Sequence, residues 1–262
     1  RDTDRSRGLG DVYKRQLREC GHEGTARAYA SSLRSMQRYL GKKDFPFIKL
    51  SSRIISDYQG KLLASGICDN TIGFYLHNIK ALFRKGCREM GLELPCPFRD
   101  ISIKTEKTLK RSLDPVVIKT LSAIELEKDS PLSLARDIFM FSFYTRGMSF
   151  VDIALLKKRH VFPGEICYRR HKTDQLMRVG INKEISRILE RYKNVPGEYI
   201  FPLFPAERDP YAGYRSAYHR IRYSLGKISR VIGLEFPLRL HAARHSWATI
   251  AKVNGASVHV IG

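Results

Sequence analysis

His241 and Arg244 are the two residues whose types and spacing best suit chemistry on a phosphate group. They stand three residues apart in the segment LRLHAARHSWAT, at 238–249. The segment has helical periodicity, so both side chains are expected on one helix face. A guanidinium group binds two phosphate oxygens at once, and an imidazole donates a hydrogen bond or moves a proton. An HxxR pair alone is more often an ordinary helix-surface pair, so it requires support from the rest of the chain.

The net charge supplies the first support. Lys and Arg outnumber Asp and Glu by 47 to 26, which gives a net charge of +21 over 262 residues. A folded protein with this charge repels itself unless it meets a polyanion, and nucleic acid is the usual one. A ribosomal or RNA-binding protein is the alternative. It predicts aromatic stacking motifs or a Gly-rich loop, and neither is evident.

The composition argues against several other classes of protein. Hydrophobic residues make up 43% of the chain, enough for a packed core. No apolar run reaches the roughly 18 residues that span a membrane, and no secretory signal is evident. The five cysteines show no CxxC spacing, which argues against a zinc site or a disulfide framework and favours a reducing cytoplasm. We therefore expect no zinc site and no membrane partner.

The chain begins with a segment whose pattern differs from that of the remaining residues. Residues 1–16 lack apolar periodicity, and DVYKRQ at 11–16 resembles a translated transposon end from library construction. We interpret 1–16 as an artefactual or disordered leader, the alternative being a basic arm that follows DNA. Three amphipathic helices are then predicted, from Thr25 as N-cap to Gly41, from Ser52 to Gly66, and from Asp69 or Asn70 to Met90. Short loops between them predict a compact bundle within 17–99.

Basic residues mark the outer faces of these helices and the polar segment ISIKTEKTLKR at 101–111. We interpret 100–112 as an interdomain linker that lies along DNA. A solvated surface is the alternative interpretation of the helical charges. The residues predicted to bind DNA are Arg34, Arg38, Lys80, Arg84, Lys104, Lys107 and Lys110.

The second region, 113–262, combines helices with a small β-hairpin. Asp114 and Pro115 predict a helix start, and that helix is expected to reach about Leu126. A strongly apolar helix comes next at 132–144, and SFVDIALLKK at 149–158 predicts a short one. EICYRR at 165–170 and LMRVGI at 176–181 are strand-like and flank a polar turn, which predicts a hairpin. Further helices are expected at 183–192, 214–232 and 241–253. The fold class is therefore mainly α with a small hairpin or sheet.

Four segments together resemble the tyrosine recombinases, in particular the integrases of Bacteroidetes mobile elements. HAARHSWAT resembles the HxxR box of that family, and FYTRGMSFVDIALLKK at 143–158 resembles its first active-site box. YRRHKTDQ at 168–175 resembles the hairpin that carries the catalytic lysine. The helical bundle, with Asn70-Thr71-Ile72, resembles the SAM-like core-binding domain. The resemblance covers about 17–262 and implies an N-terminal SAM-like bundle followed by an incomplete α+β catalytic domain.

The resemblance also implies roles for individual residues. Lys172 matches the acid that protonates the leaving 5′-oxygen, Arg244 the phosphate clamp, and His241 the residue that assists proton transfer. The family's first box normally carries an arginine where this chain has Ser149. Arg146 and Arg170 are both candidates to replace it. We favour Arg170, because it is two residues before Lys172 and alternate strand positions share a face.

The family reaction cuts and rejoins DNA through a 3′-phosphotyrosyl intermediate, on a homotetramer bound to double-stranded attachment-site DNA. It requires no metal and no other cofactor, so the resemblance implies none for this chain. The nucleophilic tyrosine normally comes soon after the segment matched by 258–262, but no tyrosine of this chain follows Arg244. We therefore expect a chain truncated before its nucleophile, which binds DNA and does not cleave it. A non-catalytic DNA-binding regulator of related fold is the alternative, although it does not explain the retained active-site residues.

Overall fold

The computed structural model describes residues 23–41, 49–106, 112–204 and 210–257. The chain folds into two compact units, Arg1–Thr108 and Leu109–Gly262. The boundary between them falls inside the segment 100–112 that was predicted as a linker. The HxxR pair and the predicted hairpin both belong to the second unit.

Three helices form the described part of the first unit: α1 (Glu23–Leu40), α2 (Ser52–Ala64) and α3 (Asp69–Glu89). Tyr58 of α2 is fully buried, and its hydroxyl donates a 2.8 Å hydrogen bond to Ser35 Oγ on α1. Thr25 lies inside α1, so its prediction as N-cap is wrong. A capping preference is weak and does not exclude threonine from the first helical turn.

The chain after α3 folds back onto its own unit. The side chain of Asn70 bonds the backbone of Glu106 twice, with Nδ2 donating to the carbonyl and Oδ1 accepting from the amide, each at 3.0 Å. Gln59 Nε2 donates to the carbonyl of Ser102 at 2.9 Å. Gly73 lets this segment approach α3, because an added Cβ would lie 3.2 Å from Ile103 Cγ2. The first half of the predicted linker is therefore held against α2 and α3.

Six α-helices are described in the second unit. They are α4 (Pro115–Ala123), α5 (Pro131–Tyr144), α6 (Phe150–Ala154), α7 (Lys183–Arg191), α8 (Pro210–Val231) and α9 (Leu240–Val253). The apolar helix α5 is central and packs against α7, α8 and α9. Helix α4 ends before the expected Leu126, because the backbone turns extended at Ile124, with φ −59° and ψ 127°. Helix α8 begins four residues earlier than expected.

A three-stranded antiparallel sheet, in the order β1-β2-β3, lies between α6 and α7 in the sequence. Its strands are β1 (Val161–Phe162), β2 (Glu165–Arg169) and β3 (Leu176–Gly180). The predicted hairpin corresponds to β2 and β3, which pair Ile166 with Val179 and Tyr168 with Met177. Strand β1 was missed because two residues are too short to show an alternating pattern. The architecture is mainly helical with a small sheet, as expected.

One buried hydrogen bond connects the start of this unit to α9. The amide of Leu113 donates to Ser246 Oγ at 2.7 Å, and this hydroxyl donates in turn to the carbonyl of Ala242 at 2.7 Å. Ser246 is fully buried. The bonds therefore fix the helix that carries the HxxR pair. None of the helices in the described residues is both long and apolar enough to cross a membrane.

Candidate active site

Helix α5 ends in a tight turn, and this turn positions the residues of the first active-site box. The amide of Arg146 donates to the carbonyl oxygen of Phe143 at 3.2 Å, and the amide of Gly147 donates to the carbonyl oxygen of Ser142 at 2.7 Å. This bonding pattern is the Schellman motif, which ends a helix with a left-handed residue. Arg146 takes that position, with φ +61°, and Gly147 comes next with φ +81°. Helix α5 therefore stops abruptly and the chain turns towards α6.

The turn brings Gly147 against Arg244 on α9. Arg244 Nε donates a 2.8 Å hydrogen bond to the carbonyl oxygen of Gly147. A Cβ atom added at Gly147 would lie 2.7 Å from Arg244 Cβ and 2.9 Å from its Cα, so only glycine fits here. Because Nε is used by the carbonyl, the four hydrogens on the two Nη atoms remain for a phosphate.

His241 and Arg244 line one side of a cavity of ≈ 190 Å³ between the first box and α9. The predicted sharing of a face by these two residues is therefore observed. Tyr214 and Tyr218 of α8 line the same cavity, and both rings pack on Phe150, with centroids 5.5 Å and 5.4 Å apart. No pattern in the sequence indicated that these two tyrosines lie beside the HxxR pair.

Asp152 is a residue of the site that the sequence reasoning missed. It is 5% exposed, and its Oδ1 accepts a 2.8 Å hydrogen bond from the backbone amide of His171 in the hairpin turn. Its Oδ2 accepts from Ser149 Oγ at 2.5 Å. Ser149, in the slot of the family's arginine, caps α6. Asp152 therefore connects the first box to the hairpin. Its position three residues after Ser149 was the one feature of the sequence that could have indicated its contact with that side chain.

The hairpin turn holds Arg170 and Lys172. Strand β2 ends at Arg169, so the prediction that Arg170 and Lys172 share a strand face is wrong. The amide of Arg170 donates to the carbonyl of Gln175 at 2.8 Å, while its carbonyl accepts from the amide of Asp174. Arg170 follows the buried residues Ile166 and Tyr168 at the same two-residue interval and is half-buried. Lys172 is exposed in the turn.

Electrostatics link Arg170 to Arg244. Burial, followed by the nearby charge of Arg170, lowers the pKa of the Arg244 guanidinium, with Tyr168 and Asp152 acting in the opposite direction. Burial raises the pKa of Tyr168 to about 12, and Asp152 adds to that rise while Arg170 and Arg244 oppose it. Arg170, Arg244, Asp152 and Tyr168 therefore form one interacting cluster. Two arginines with one carboxylate leave positive charge for an anion.

The remaining candidates lie elsewhere. Arg146 is exposed and does not line the cavity. Arg34, Arg38, Arg84 and Lys104 are exposed on the first unit and Lys80 is half-buried, whereas Lys107 and Lys110 lie outside the described residues. Within the described ranges, no group of His, Cys, Asp and Glu side chains is arranged to hold a metal ion.

The first unit is similar to a known protein family. The model of the phage integrase SAM-like domain matches residues 9–99. The match begins inside the segment 1–16 that was interpreted as a leader. Among curated proteins, none is similar enough to the chain to count as a match.

Solved structures match nearly the whole chain. A lambda integrase dimer bound to a COC′ core site is 16% identical, covers 95% of this chain and 90% of its own, and has a TM-score of 0.68. A Tn1549 transposon integrase in complex with transposon right end DNA is 14% identical, covers 97% and 89%, and has a TM-score of 0.67. A lambda integrase tetramer bound to a Holliday junction is 16% identical, covers 97% and 74%, and has a TM-score of 0.66. The chain therefore has the fold of these integrases, which confirms the fold that the resemblance implied.

Proposed function

We propose that this chain binds duplex DNA and carries the phosphate-binding and proton-donating groups of a site-specific recombinase. In that reaction a strand is cut and rejoined through a 3′-phosphotyrosyl intermediate, for which no tyrosine follows Arg244 in these 262 residues. The observation that carries the proposal is the contact of Arg244 with Gly147, in a cavity that His241 also lines and beside the charge of Arg170. Two guanidinium groups and an imidazole around one cavity suit the charge that develops on a phosphate under attack.

Each group has its own part in this proposal. Arg244 holds the non-bridging oxygens through its two Nη atoms, and Arg170 supplies the second cation in place of the arginine that Ser149 replaces. His241 hydrogen-bonds the phosphate. Lys172 protonates the leaving 5′-oxygen from the hairpin turn, whose backbone Asp152 holds in place. The reaction needs a proton donor and fixed positive charge, which these side chains provide.

The two units share the work in the proposal. Residues 17–99 and the linker 100–112 contact DNA through Arg34, Arg38, Lys80, Arg84, Lys104, Lys107 and Lys110, while 113–262 carries the chemistry. The solved integrases bound to DNA, and the lambda integrase tetramer bound to a Holliday junction, support DNA as the partner and a homotetramer as the working assembly. The cytoplasm is the proposed location.

The first test measures binding of the 262-residue chain to a pool of random duplexes across a range of salt. If 6 to 10 phosphates are contacted, affinity falls by roughly 10³- to 10⁵-fold between 50 and 200 mM salt. Repeated selection from the pool then identifies the preferred site. Binding that does not depend on salt, or a preference for RNA, would contradict the proposal.

The second test separates a recombinase from a DNA-binding regulator. Hydrogen peroxide supplies a small oxygen nucleophile in place of a tyrosine, and nicking of the selected site is followed on a denaturing gel. We expect nicking by the wild type and roughly a hundred-fold less, or lower still, by Arg244→Ala, since one lost transition-state contact costs about that factor. A regulator predicts no nicking by either protein.

A further inference from the structure

A basic groove runs along the second unit, outside the cavity that His241 and Arg244 line. It has a volume of ≈ 490 Å³ and is lined by one face of α8 and by the segment that leads into α9. The basic side chains around it are His219, Arg222, Lys227, Arg230 and Arg239. None of the described residues that line it is acidic. The DNA-binding residues predicted from the sequence include no member of this set.

The spacing along α8 makes these residues one continuous stripe. Residues 219, 222, 223, 226, 227 and 230 follow the three- and four-residue intervals of one helix face. At about 1.5 Å per residue the stripe is roughly 16 Å long, over which one strand of B-DNA carries about five phosphates. The length and the charge of the groove therefore match a stretch of nucleic-acid backbone.

The cations of the groove have no acidic partner among the described residues. In the described part of the chain, its four Lys and Arg side chains take part in no ion pair. Tyr223 is 66% exposed, and Lys227 Nζ lies 4.8 Å from its ring centroid. Like charges gathered without partners repel each other, so folding alone does not account for the cluster.

Two residues of the groove, Gly226 and Arg239, are unfavourable for the stability of α8 and α9. Gly226 lies in the middle of α8, where an added Cβ would meet nothing within 4 Å, so packing does not require glycine. Its missing side chain leaves the floor of the groove open. Arg239 occupies the N-cap of α9 without a side-chain capping bond, and it puts a positive charge at the positive end of a helix. Both choices suit a ligand that enters the groove and is anionic.

We propose that this groove binds the sugar–phosphate backbone of duplex DNA next to the phosphate held by Arg244. Arg239 and His219 line the groove, and their chain neighbours Leu240 and Tyr218 line the cavity of the active site, so the two are bordered by adjacent residues. The assignment rests on the proposed function, because it takes DNA as the partner. It adds Arg222, Lys227, Arg230 and Arg239 as backbone contacts of the second unit.

The charge of the groove is tested with Arg222→Ala/Arg230→Ala on the whole 262-residue chain. Fluorescence anisotropy with a duplex of about 30 base pairs gives the affinity and its dependence on salt. We expect about ten-fold weaker binding and a salt slope that is smaller by about two, since each lost phosphate contact removes nearly one counterion. Lys119→Ala/Lys183→Ala removes the same charge from exposed positions outside the groove. If this control weakens binding equally, the groove has no special role and the inference is wrong.

The shape of the groove is tested without changing charge. Gly226→Leu fills the floor and should weaken DNA binding about five-fold while the melting temperature stays the same or rises, because leucine is the better helix former. Gly60→Leu, at a helical glycine of α2 that also has open space around it, should leave binding unchanged. Wild-type affinity for Gly226→Leu would overturn the inference.

The remaining outcomes separate this inference from the proposed function. A wild-type chain that binds no duplex DNA refutes both. A wild type that binds DNA, with groove variants that bind equally well, refutes the groove alone. Poly-glutamate serves as a polyanion without nucleotides. If groove variants lose only their binding to poly-glutamate, the groove takes an acidic protein segment and its assignment to DNA is wrong.

Discussion

Arg244 Nε donates its hydrogen bond to the carbonyl oxygen of Gly147 across 97 positions of sequence, at 2.8 Å. The contact is possible because Gly147 has no side chain, as an added Cβ would lie 2.7 Å from Arg244 Cβ. One backbone atom of the first box therefore sets the orientation of the guanidinium that we propose binds phosphate. Gly147 therefore forms the turn after α5 and also allows α9, which carries the HxxR pair, to lie close to that turn.

Gly147→Ala should destabilise the second unit by about 3 kcal/mol or more, because it combines a left-handed backbone with a clash against α9. Gly164→Ala is the matched control, since Gly164 has φ +83° and nothing within 4 Å. It should cost only about 1 kcal/mol, from the backbone alone. Urea unfolding followed by tryptophan fluorescence reports both, because the single Trp247 lies on α9. Equal losses would show that the close approach to Arg244 does not matter.

Arg170→Ala should reduce nicking of the selected site in the peroxide assay by roughly a hundred-fold or more, while DNA affinity changes little. The lost cation acts on the charge of the transition state more than on the ground state. Arg146→Gly is the comparison, because it removes the other candidate arginine. If Arg146→Gly stops nicking and Arg170→Ala does not, Arg146 is the replacement for the missing arginine.

Arg146→Gly should also make the protein more stable by about 1 kcal/mol, because residue 146 has φ +61° and glycine takes that conformation without strain. Thermal unfolding of the variant and the wild type measures the difference. Arg146→Ala removes the same side chain and keeps the strain, so it should show no gain. If Arg146→Ala were also more stable than the wild type, the gain in stability would come from loss of the arginine side chain and not from relief of backbone strain.

Asp152→Ala should loosen the hairpin turn and lower stability by about 2 kcal/mol, since it leaves the amide of His171 and the hydroxyl of Ser149 without their acceptor. Hydrogen exchange at the His171 amide should become faster. Asp152→Asn keeps one acceptor oxygen and should protect that amide better than alanine does. Unchanged exchange in both variants would show that Asp152 does not hold the turn.

The polypeptide of these 262 residues should form no covalent link to DNA. A nucleophile must lie in line within about 3–3.5 Å of phosphorus, and no tyrosine follows Arg244. Tyr214 and Tyr218 do lie in the cavity, but their rings are packed on Phe150. A denaturing gel with end-labelled DNA is the measurement. A shifted band that Tyr218→Phe or Tyr214→Phe removes would identify one of these two as the nucleophile.

Local patterns were sufficient to predict most elements of the fold. The hairpin and the shared helix face of His241 and Arg244 follow from periodicities of about two and about 3.6 residues, which the chain obeys in β2, β3 and α9. The end of α4 at Ile124 was not predictable in this way, because helix ends depend on tertiary packing. The same holds for the end of β2 at Arg169, which moved Arg170 into the turn.

The candidate site was predictable only where one segment carries it. Asp152 acts on His171, and the α8 tyrosines reach the cavity of Arg244, through contacts that connect distant parts of the chain. No periodicity reports such contacts. Asn70 is a similar case, because its amide bonds the backbone of Glu106. Its type and position did not indicate this bond.

The bond between Asp152 and His171 has an unequal effect on the two positions that it joins. At 152 it requires a carboxylate or a close substitute, because the side chain accepts the hydrogen bond. At 171 it requires only a backbone N–H group, which every residue except proline provides. In a scan of all substitutions, this bond therefore makes position 152 intolerant of most residues, and it forbids only proline at position 171.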